Sequence, residues 1–383
     1  MKKLRIAALA VLLLGAGLFL RSLQNAGRID LGFTARDGGI VWMMAMGNDM
    51  TNEEFLATTQ RLEERAEALP GITAVGSAEM LPVGMSYQET GFDVPDVPPP
   101  TGEDHHSMGY NVVSAGYFDV MGISIVSGRG LSEEDGSGAA PVVVISEAAA
   151  RRFWPGENPL GREIRRPGGD EGYRVVGVAG NTKVWNIGEE YRPYIYFSNK
   201  QYPINSMQLV ARGGVPDAQI VAQLRDLVEQ VDSRLLVMEA KTMKEHLAFA
   251  LFPPRIAALL LGVFGGLALI LATTGLYGAV AFSVSRRSRE MGIRMSLGAS
   301  ARRVVTSVLR GAMSLVAVGV VIGLALSVLL AHGVQGFLYG MDAVDPVTFL
   351  AVPLVLGGVA LVAALVPARR ASRVDPVRAL KAE

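Results

Sequence analysis

The sequence contains no cysteine among its 383 residues. Disulfide bonds, thiolate metal sites and a cysteine nucleophile are therefore excluded, and no redox chemistry can be assigned to thiols. Charged residues are also scarce, at 19% of the chain, whereas half of the residues are hydrophobic and the mean hydropathy is +0.31. This balance is more apolar than is usual for a soluble protein, and it indicates a membrane protein.

The formal net charge is zero, but the two signs are distributed unevenly along the chain. Residues 22–255 contain 20 basic and 31 acidic side chains, a net charge of −11. The rest of the chain contains 16 basic and 5 acidic side chains, a net charge of +11. Because basic residues near membrane spans are retained in the cytoplasm, this asymmetry predicts that the two parts face different compartments.

Four segments are long and apolar enough to cross a bilayer, which takes a helix of roughly 20 residues. They are Leu4–Leu20, Ile256–Val284, Val304–Leu330 and Val347–Val366. The first segment is short and follows basic residues, as a secretory signal peptide does. The best cleavage motif ends at Ala26, and Gln24 occupies its −3 position, where a small residue is needed, so we favour an uncleaved anchor.

Lysine and arginine positions predict the orientation of these spans. Basic residues flank them at 2–5, 286–303 and 369–381, whereas the turn at 331–345 contains none. We therefore expect a multi-pass protein of the inner (cytoplasmic) membrane with both termini in the cytoplasm. Arg21 and Arg255 would lie at the outer ends, where long side chains can reach the interface.

The outer region alternates between two kinds of pattern. Runs rich in valine, isoleucine and aromatic residues predict strands at 39–46, 141–148, 173–180 and 206–212. Helical patterns follow at Asn52–Leu69 and Asp217–Val231, each starting near an Asn or Asp cap. The proline-rich segment 93–107 is predicted to be a surface loop. The fold class is therefore four transmembrane α-helices, with a large mixed α/β extracytoplasmic domain between the first and second.

Several segments resemble the MacB/FtsX-type ABC transporter permeases. REMGIRMSLGAS (289–300) resembles the loop between the second and third spans of that family, and VPARRASRVDPVRALKAE (366–383) resembles its ending. Upstream, PVVVISEAAARRFWPGENPLGREIR (141–165) and YRVVGVAGNTK (173–183) are similar to its periplasmic core domain. The resemblance covers nearly the whole chain.

The resemblance implies three parts. They are an N-terminal transmembrane anchor at 1–21, a MacB-like periplasmic core domain at 22–254, and an FtsX-like permease domain at 255–383 with a cytoplasmic coupling loop at 285–303 and a cytoplasmic tail at 367–383. It also implies mechanotransmission, in which ATP-driven dimerisation of cytoplasmic ATPases moves the outer domain through the spans. The outer domain then pushes a substrate, as in export or efflux, or signals to a partner.

The sequence contains no G-x-x-x-x-G-K-[ST] motif, the loop that cradles nucleotide phosphates. We therefore expect no enzyme activity and no cofactor bound by this chain, with ATP used by a separate ABC ATPase subunit. Because the chain carries one permease module, we also expect a second permease chain, in a homodimer or heterodimer. A periplasmic adaptor or hydrolase and membrane lipids are further candidate partners, whereas no nucleic-acid surface is evident.

Residues 286–303 contain six arginines between the second and third spans. Met291 and Met295 are four residues apart, as are Ile293 and Leu297, so a helix here would present apolar side chains beside the arginines.

Gly298 is suited to end this helix, and Ser300 to cap the next one. Together with the resemblance, the pattern predicts an ATPase-coupling element. Its residues are Arg286, Arg287, Arg289, Glu290, Met291, Gly292, Ile293, Arg294, Leu297 and Gly298. The alternative is that the arginines only fix the topology and bind anionic lipid headgroups.

Glycines recur at a spacing of four in two spans, which allows close helix approach in lipid. Gly262 and Gly266 form a candidate dimer seam, and Gly319 and Gly323 repeat the spacing. Packing within one chain is the alternative for both pairs.

Two Asp-Pro pairs are each typical of a capped helix start, at Asp345-Pro346 and Asp375-Pro376. Trp154 is predicted to pack beneath a helix end and turn.

His105 and His106 lie beside Glu103 and Asp104, residue types that bind metals. Neighbours in a flexible loop rarely converge on one ion, so a solvated loop is favoured, and we assign no metal, cofactor or catalytic residue.

The leading hypothesis is an ABC permease subunit. The alternatives are a membrane regulator of an extracytoplasmic partner such as a cell-wall hydrolase, and an ATP-independent membrane-anchored sensor or enzyme.

Overall fold

The computed structural model describes residues 2–26, 29–34, 37–46, 50–84, 86–95, 97–169, 172–202, 204–286, 290, 300–333 and 345–371. Its helices are α1 (Lys2–Ala26), α2 (Asn52–Glu67), α3 (Tyr117–Met121), α4 (Glu147–Phe153), α5 (Asp217–Val231), α6 (Met243–Ala250), α7 (Phe252–Arg286), α8 (Ala301–Gly333) and α9 (Pro346–Ala371). Its strands are β1 (Gly39–Ala45), β2 (Ile72–Ala78), β3 (Glu89–Phe92), β4 (His106–Val113), β5 (Ile125–Gly128), β6 (Val142–Ser146), β7 (Glu163–Arg165), β8 (Gly172–Ala179), β9 (Tyr194–Ser198), β10 (Ser206–Gly213) and β11 (Leu235–Thr242). The chain divides into two compact units, a helical unit of residues 1–28 with 252–383 and an outer unit of residues 29–251.

The helical unit contains four helices that are long and apolar enough to cross a membrane, which confirms the four predicted spans. They are α1, α7, α8 and α9. α1 continues to Ala26, six residues beyond the predicted end at Leu20. Hydropathy marks the part of a helix suited to lipid, whereas the helix itself ends where its backbone hydrogen bonds end.

Helices α1 and α9 lie between α7 and α8, which hardly touch each other. The centre of the helical unit is formed by Leu9, Ala10, Val316, Val320, Leu356 and Ala360. Gly323 in α8 lies close to α1, because a Cβ atom there would come within 2.5 Å of Ala10 Cβ. Gly323 therefore packs within the chain, which is the alternative that the sequence left open for this glycine.

The outer unit is built on one sheet of eleven strands among the described residues. The strand order is β11-β1-β10-β2-β4-β9-β6-β8-β5, with β3 paired to β4 and β7 paired to β8. Most neighbours are antiparallel, but β4–β9 and β6–β8 are parallel. Together with the helices, this confirms the predicted mixed α/β domain.

Two hydrophobic cores lie along this sheet. The first is formed by β1, β2, β10 and β11 with α2 and α5, and it includes Phe55, Leu62, Leu209 and Leu224. The second is formed around β4, β6, β8 and β9 with α4. The two halves meet where β2 pairs with β4 through the single residue pair Ala78 and Val113. The sheet is therefore continuous but narrow between the two cores.

The four predicted strands are confirmed as β1, β6, β8 and β10, and the two predicted helices as α2 and α5. The caps differ from the prediction. Thr51, rather than Asn52, caps α2, and it forms a capping box with Glu54. Asp217 lies inside α5, where its carboxylate accepts from the Gly38 amide at 3.0 Å and from Lys244 Nζ at 2.8 Å.

The prediction of a solvated loop at 93–107 is wrong for its last part. His106 begins β4 and is buried, and its ring lies 5.0 Å from the Phe153 ring, centre to centre. His105 instead pairs with Asp93 at 2.6 Å. β4 starts at His106, directly after His105, and the proline content of the segment does not reveal this strand start. No group of three or more metal-binding side chains occurs among the described residues.

Trp154 is buried at the end of α4, as predicted, with Gly156 in the left-handed conformation of the turn that follows.

Candidate coupling site

The ends of three helices meet at one end of the helical unit, which we call the basic end because Arg286, Arg302 and Arg370 lie there. α7 ends at Arg286, whose guanidinium lies 5.7 Å from the centre of the Phe282 ring. Near the end of α9, Arg370 Nη1 donates to the Tyr277 hydroxyl of α7 at 3.1 Å. This bond ties the last turn of α9 to α7.

A cleft of about 260 Å³ lies at this end between α7 and α8. Its walls are apolar except for three polar side chains, Ser283, Glu290 and Ser307. The cleft exists because α7 and α8 are separated by the helices between them and approach each other little. A polar opening between two otherwise apolar spans is a suitable place for a partner's side chain to enter.

Glu290 is the best placed of the predicted coupling residues. Its side chain is exposed and also lines the α7–α8 cleft. Arg286 is likewise exposed. The other predicted coupling residues lie outside the described part of the chain, and with them the predicted helix end at Gly298. They are Arg287, Arg289, Met291, Gly292, Ile293, Arg294, Leu297 and Gly298.

α8 begins at Ala301, directly after Ser300, in agreement with the predicted helix start. The Ser300 carbonyl accepts from the Arg303 amide at 2.9 Å. Asp375 and the tail that follows lie outside the described residues.

The opposite end of the helical unit is held by an ion pair. Arg21 Nη1, near the end of α1, lies 2.8 Å from Asp345 Oδ2 at the start of α9. Asp345 also accepts from the Thr348 amide at 2.7 Å, which confirms its predicted role as a helix cap. Arg21, which the charge pattern places at the outer end of its span, therefore has an acidic partner. The C-terminal end of α1 and the N-terminal end of α9 lie on the same side of the helical unit.

The glycines of α7 differ in what surrounds them. A Cβ atom at Gly265 would come within 2.9 Å of Leu13 Cδ2 in α1, whereas at Gly262 or Gly266 it would meet nothing within 4 Å. Close packing inside the chain therefore uses Gly265, and the two glycines of the candidate seam face open space.

The sequence reasoning missed Tyr277, Ser283 and Ser307. A signal was present, because polar side chains inside apolar spans tend to face other protein groups. These three are among the few such residues near the ends of their spans.

Two protein families match consecutive parts of this chain. Residues 6–231 match the MacB-like periplasmic core domain, and residues 262–376 match the FtsX-like permease C-terminal domain. The chain belongs to the MacB/FtsX-type ABC permease family. The segment that links α7 to α8 falls within the second match, so this MacB/FtsX-type permease carries its candidate coupling site inside the permease domain.

Several proteins similar to this chain are named macrolide export ATP-binding/permease protein MacB. The proteins of Shigella sonnei and Escherichia coli K12 are each 29% identical over 295 residues, and that of Escherichia coli O157:H7 is 30% identical. These alignments cover 71% of this chain but 43% of each relative. The permease therefore spans less than half the length of these relatives.

Two solved structures are similar to part of the permease. The periplasmic region of MacB from Actinobacillus actinomycetemcomitans is 16% identical, with a TM-score of 0.37, and the match covers 57% of this chain and 94% of that one. The extracellular domain of the transporter YknZ from Gram-positive bacteria is also 16% identical, with a TM-score of 0.33, and the match covers 52% of this chain and all of that one.

Proposed function

We propose that this permease is the membrane subunit of an ABC transporter of the export or efflux type and works by mechanotransmission. A separate ATPase binds at the basic end, and its motion passes along the spans to the outer unit. The outer unit then moves a substrate or partner outside the membrane.

The length of α7 carries this proposal. Its 35 residues make a rod about 52 Å long, whereas the hydrocarbon core of a bilayer is about 30 Å thick. Its prolines are confined to the first turn, where they do not break helical hydrogen bonds. A continuous helix of this length transmits a displacement at one end to the other. Only one residue, Leu251, separates the end of α6 from the start of α7, so α7 directly follows the outer unit in the chain.

The ATPase is proposed to dock on the segment from Arg286 to Gly298 and on the adjoining α7–α8 cleft. Arg286 and Glu290 are exposed and offer charges of both signs. The α7–α8 cleft beside them is proposed to accept a side chain of the ATPase.

A second permease chain is proposed to pack against α7. This helix has few buried side chains, and a Cβ atom at Gly262 or Gly266 would meet no other described residue within 4 Å. Small residues at this spacing are typical of helix pairs in membranes. The location is the inner membrane with the basic end in the cytoplasm, as the arginines favour.

The test is stimulated ATP hydrolysis in proteoliposomes that contain the permease and its ATPase. Glu290→Arg reverses a charge at the docking surface, and it should lower permease-dependent ATPase activity at least several-fold. Gly298→Val should do the same without changing charge. Glu64→Arg is the matched control, since Glu64 is an exposed residue of α2 in the outer unit.

Normal stimulation by both coupling variants, with normal ATPase binding, would overturn the coupling proposal. The arginines would then serve topology and lipid binding alone. Stimulation that is lost in Glu64→Arg as well would show that the effect is not specific to the basic end.

A further inference from the structure

A polar cavity of about 270 Å³ lies in the outer unit, on the face of the sheet opposite α2 and α5. Side chains alternate between the two faces of β1, and this alternation explains which residues form the floor of the cavity. Val41 and Met43 point into the first core, so Trp42 between them points to the other face. Its strand partners Glu239 and Gln208 lie in the same row across β11, β1 and β10. The register of β1 against β11 shifts beside Trp42, an irregularity that often adjusts a side chain at a binding site.

The wall of the cavity is the segment between β2 and β3, together with α6. Asn111 anchors the segment, since its side chain accepts from the Met80 amide at 3.1 Å and donates to the Met80 carbonyl at 2.7 Å. His246 of α6 is buried and contacts the Pro82 carbonyl through Nε2 at 2.9 Å. Directly after Pro82, Val83 has a φ of 62°, a strained conformation for a β-branched residue.

The polar lining of this cavity combines hydrogen-bond donors and acceptors. Glu79 is half-buried, and its carboxylate accepts from Gln88 Nε2 at 3.0 Å. Gln88 Oε1 is buried and has no hydrogen-bond partner among the described residues. Lys241 also lines the cavity but is paired with Glu239, so Glu79 is the carboxylate left for a ligand.

The charges favour a cation. The cavity contains two carboxylates, Glu79 and Glu239, and one ammonium group, Lys241, which lies 2.6 Å from Glu239. Burial lowers the pKa of His246, so its imidazole is neutral at pH 7 and adds no positive charge. With both carboxylates ionised, the remaining charge is −1; burial raises the pKa of Glu79, and a bound cation would favour its charged form. Trp42 adds an aromatic ring, a surface that attracts organic cations.

We propose that this cavity binds a small organic cation, a protonated amine whose N–H groups donate to Glu79 while its alkyl part lies against Trp42. The site is in one chain and needs no ATPase. Its failure in the test below would therefore leave the coupling proposal unaffected.

The experiment is a ¹⁹F NMR titration of the full chain labelled with 5-fluorotryptophan in detergent micelles. The chain has three tryptophans, so three resonances are expected, and Trp42→Phe assigns the one in the cavity. Trp154 in the second core and Trp185 on the surface serve as internal controls. The probe is n-butylammonium, with n-butanol and n-butyrate as neutral and anionic compounds of matched length.

Only the Trp42 resonance should shift, in a saturable way, and n-butylammonium should bind at least tenfold more tightly than n-butanol or n-butyrate. Glu79→Gln and Glu239→Gln should each weaken binding about tenfold. Lys241→Gln should strengthen it, because the competing cation is removed. Glu229→Gln, at an exposed site on α5, should leave binding unchanged.

The proposal is overturned if no saturable shift occurs, if the three probes bind alike, or if the glutamate variants bind the amine as the native chain does. The opposite effect expected for Lys241→Gln separates loss of the site from loss of the fold, because a misfolded chain cannot gain affinity.

Discussion

The seam proposed on α7 predicts different outcomes for substitutions at glycines on different faces of this helix. Gly262→Leu and Gly266→Leu should leave the single chain folded but weaken its association with a second copy. A Cβ atom at either position meets nothing within 4 Å in the chain, so the monomer has room for the larger side chain. Gly278→Leu is the matched control, since Gly278 has the same open surroundings in the same helix. It lies about 160° around the helix from Gly262.

The expected effect follows from overpacking. Forcing a larger side chain into a close interface costs about 1–3 kcal/mol per site. In a homodimer each substitution occurs twice, so the loss is about 2 kcal/mol or more. Since about 1.4 kcal/mol is a tenfold change, the dissociation constant should rise at least about 30-fold.

The assay uses the absence of native cysteine. Ser137→Cys places one label on an exposed loop of the outer unit, and donor- and acceptor-labelled chains are mixed in liposomes at increasing lipid-to-protein ratios. Energy transfer should disappear at lower dilution for Gly262→Leu than for Gly278→Leu. The α7 seam would be refuted if the two variants gave equal dilution curves. If both curves were also shifted equally from that of the native chain, the shift would indicate a general effect of leucine in α7.

Three further predictions concern topology, packing and pH. In intact cells, an impermeant thiol reagent should label a cysteine at Ser137 or Ala343 and spare one at Ser288, because positive flanks are retained inside; labelling at Ser288 would contradict the orientation. Gly323→Ala should destabilise the helical unit by about 1–3 kcal/mol in a detergent unfolding titration followed by circular dichroism, since its Cβ would lie 2.5 Å from Ala10 Cβ. Gly311→Ala, in open surroundings in the same helix, should be neutral or stabilising, and equal effects would show that the contact with α1 is unimportant. Burial raises the pKa of Glu63 to about 7, so its contribution to stability is full below its unfolded value of 4.5 and is lost as pH rises through 7. The tryptophan-detected unfolding midpoint, which reports on the outer unit alone, should fall between pH 5 and pH 8 by more in the native chain than in Glu63→Gln; the same fall in both would refute this assignment.

The membrane spans were predictable because hydrophobic length is a local property of the sequence. Each predicted span lies inside one long helix, and the capping role of Asp345 followed from its position before Pro346. The partner of Arg21 was not predictable in this way. Arg21 and Asp345 are 324 residues apart, and only the packing of α1 beside α9 brings them together.

In the outer unit too, elements marked by a local residue pattern were predictable, whereas features that depend on distant segments were not. Strands β1, β6, β8 and β10 carry strong runs of β-branched and aromatic residues, and they were predicted. β4 was missed because it begins in a segment that reads as a polar loop, HHSMGY, and gains its stability from β3 and β9 on either side. The cavity around Trp42 was missed for a related reason, since its lining comes from segments between residues 42 and 246.

Stiffness explains why α7, rather than α9, is suited to carry motion. Two prolines interrupt the interior of α9, at Pro353 and Pro367, and each removes a backbone hydrogen bond at a place where the helix can bend. α7 has no proline beyond its first turn, and it is the helix that continues in the chain from α6. α9 instead is tied at both ends, to Arg21 through Asp345 and to Tyr277 through Arg370. Because Arg370 bonds Tyr277 of α7, the end of α9 would follow any displacement of α7, and its interior prolines make α9 the less suitable helix to carry the proposed motion.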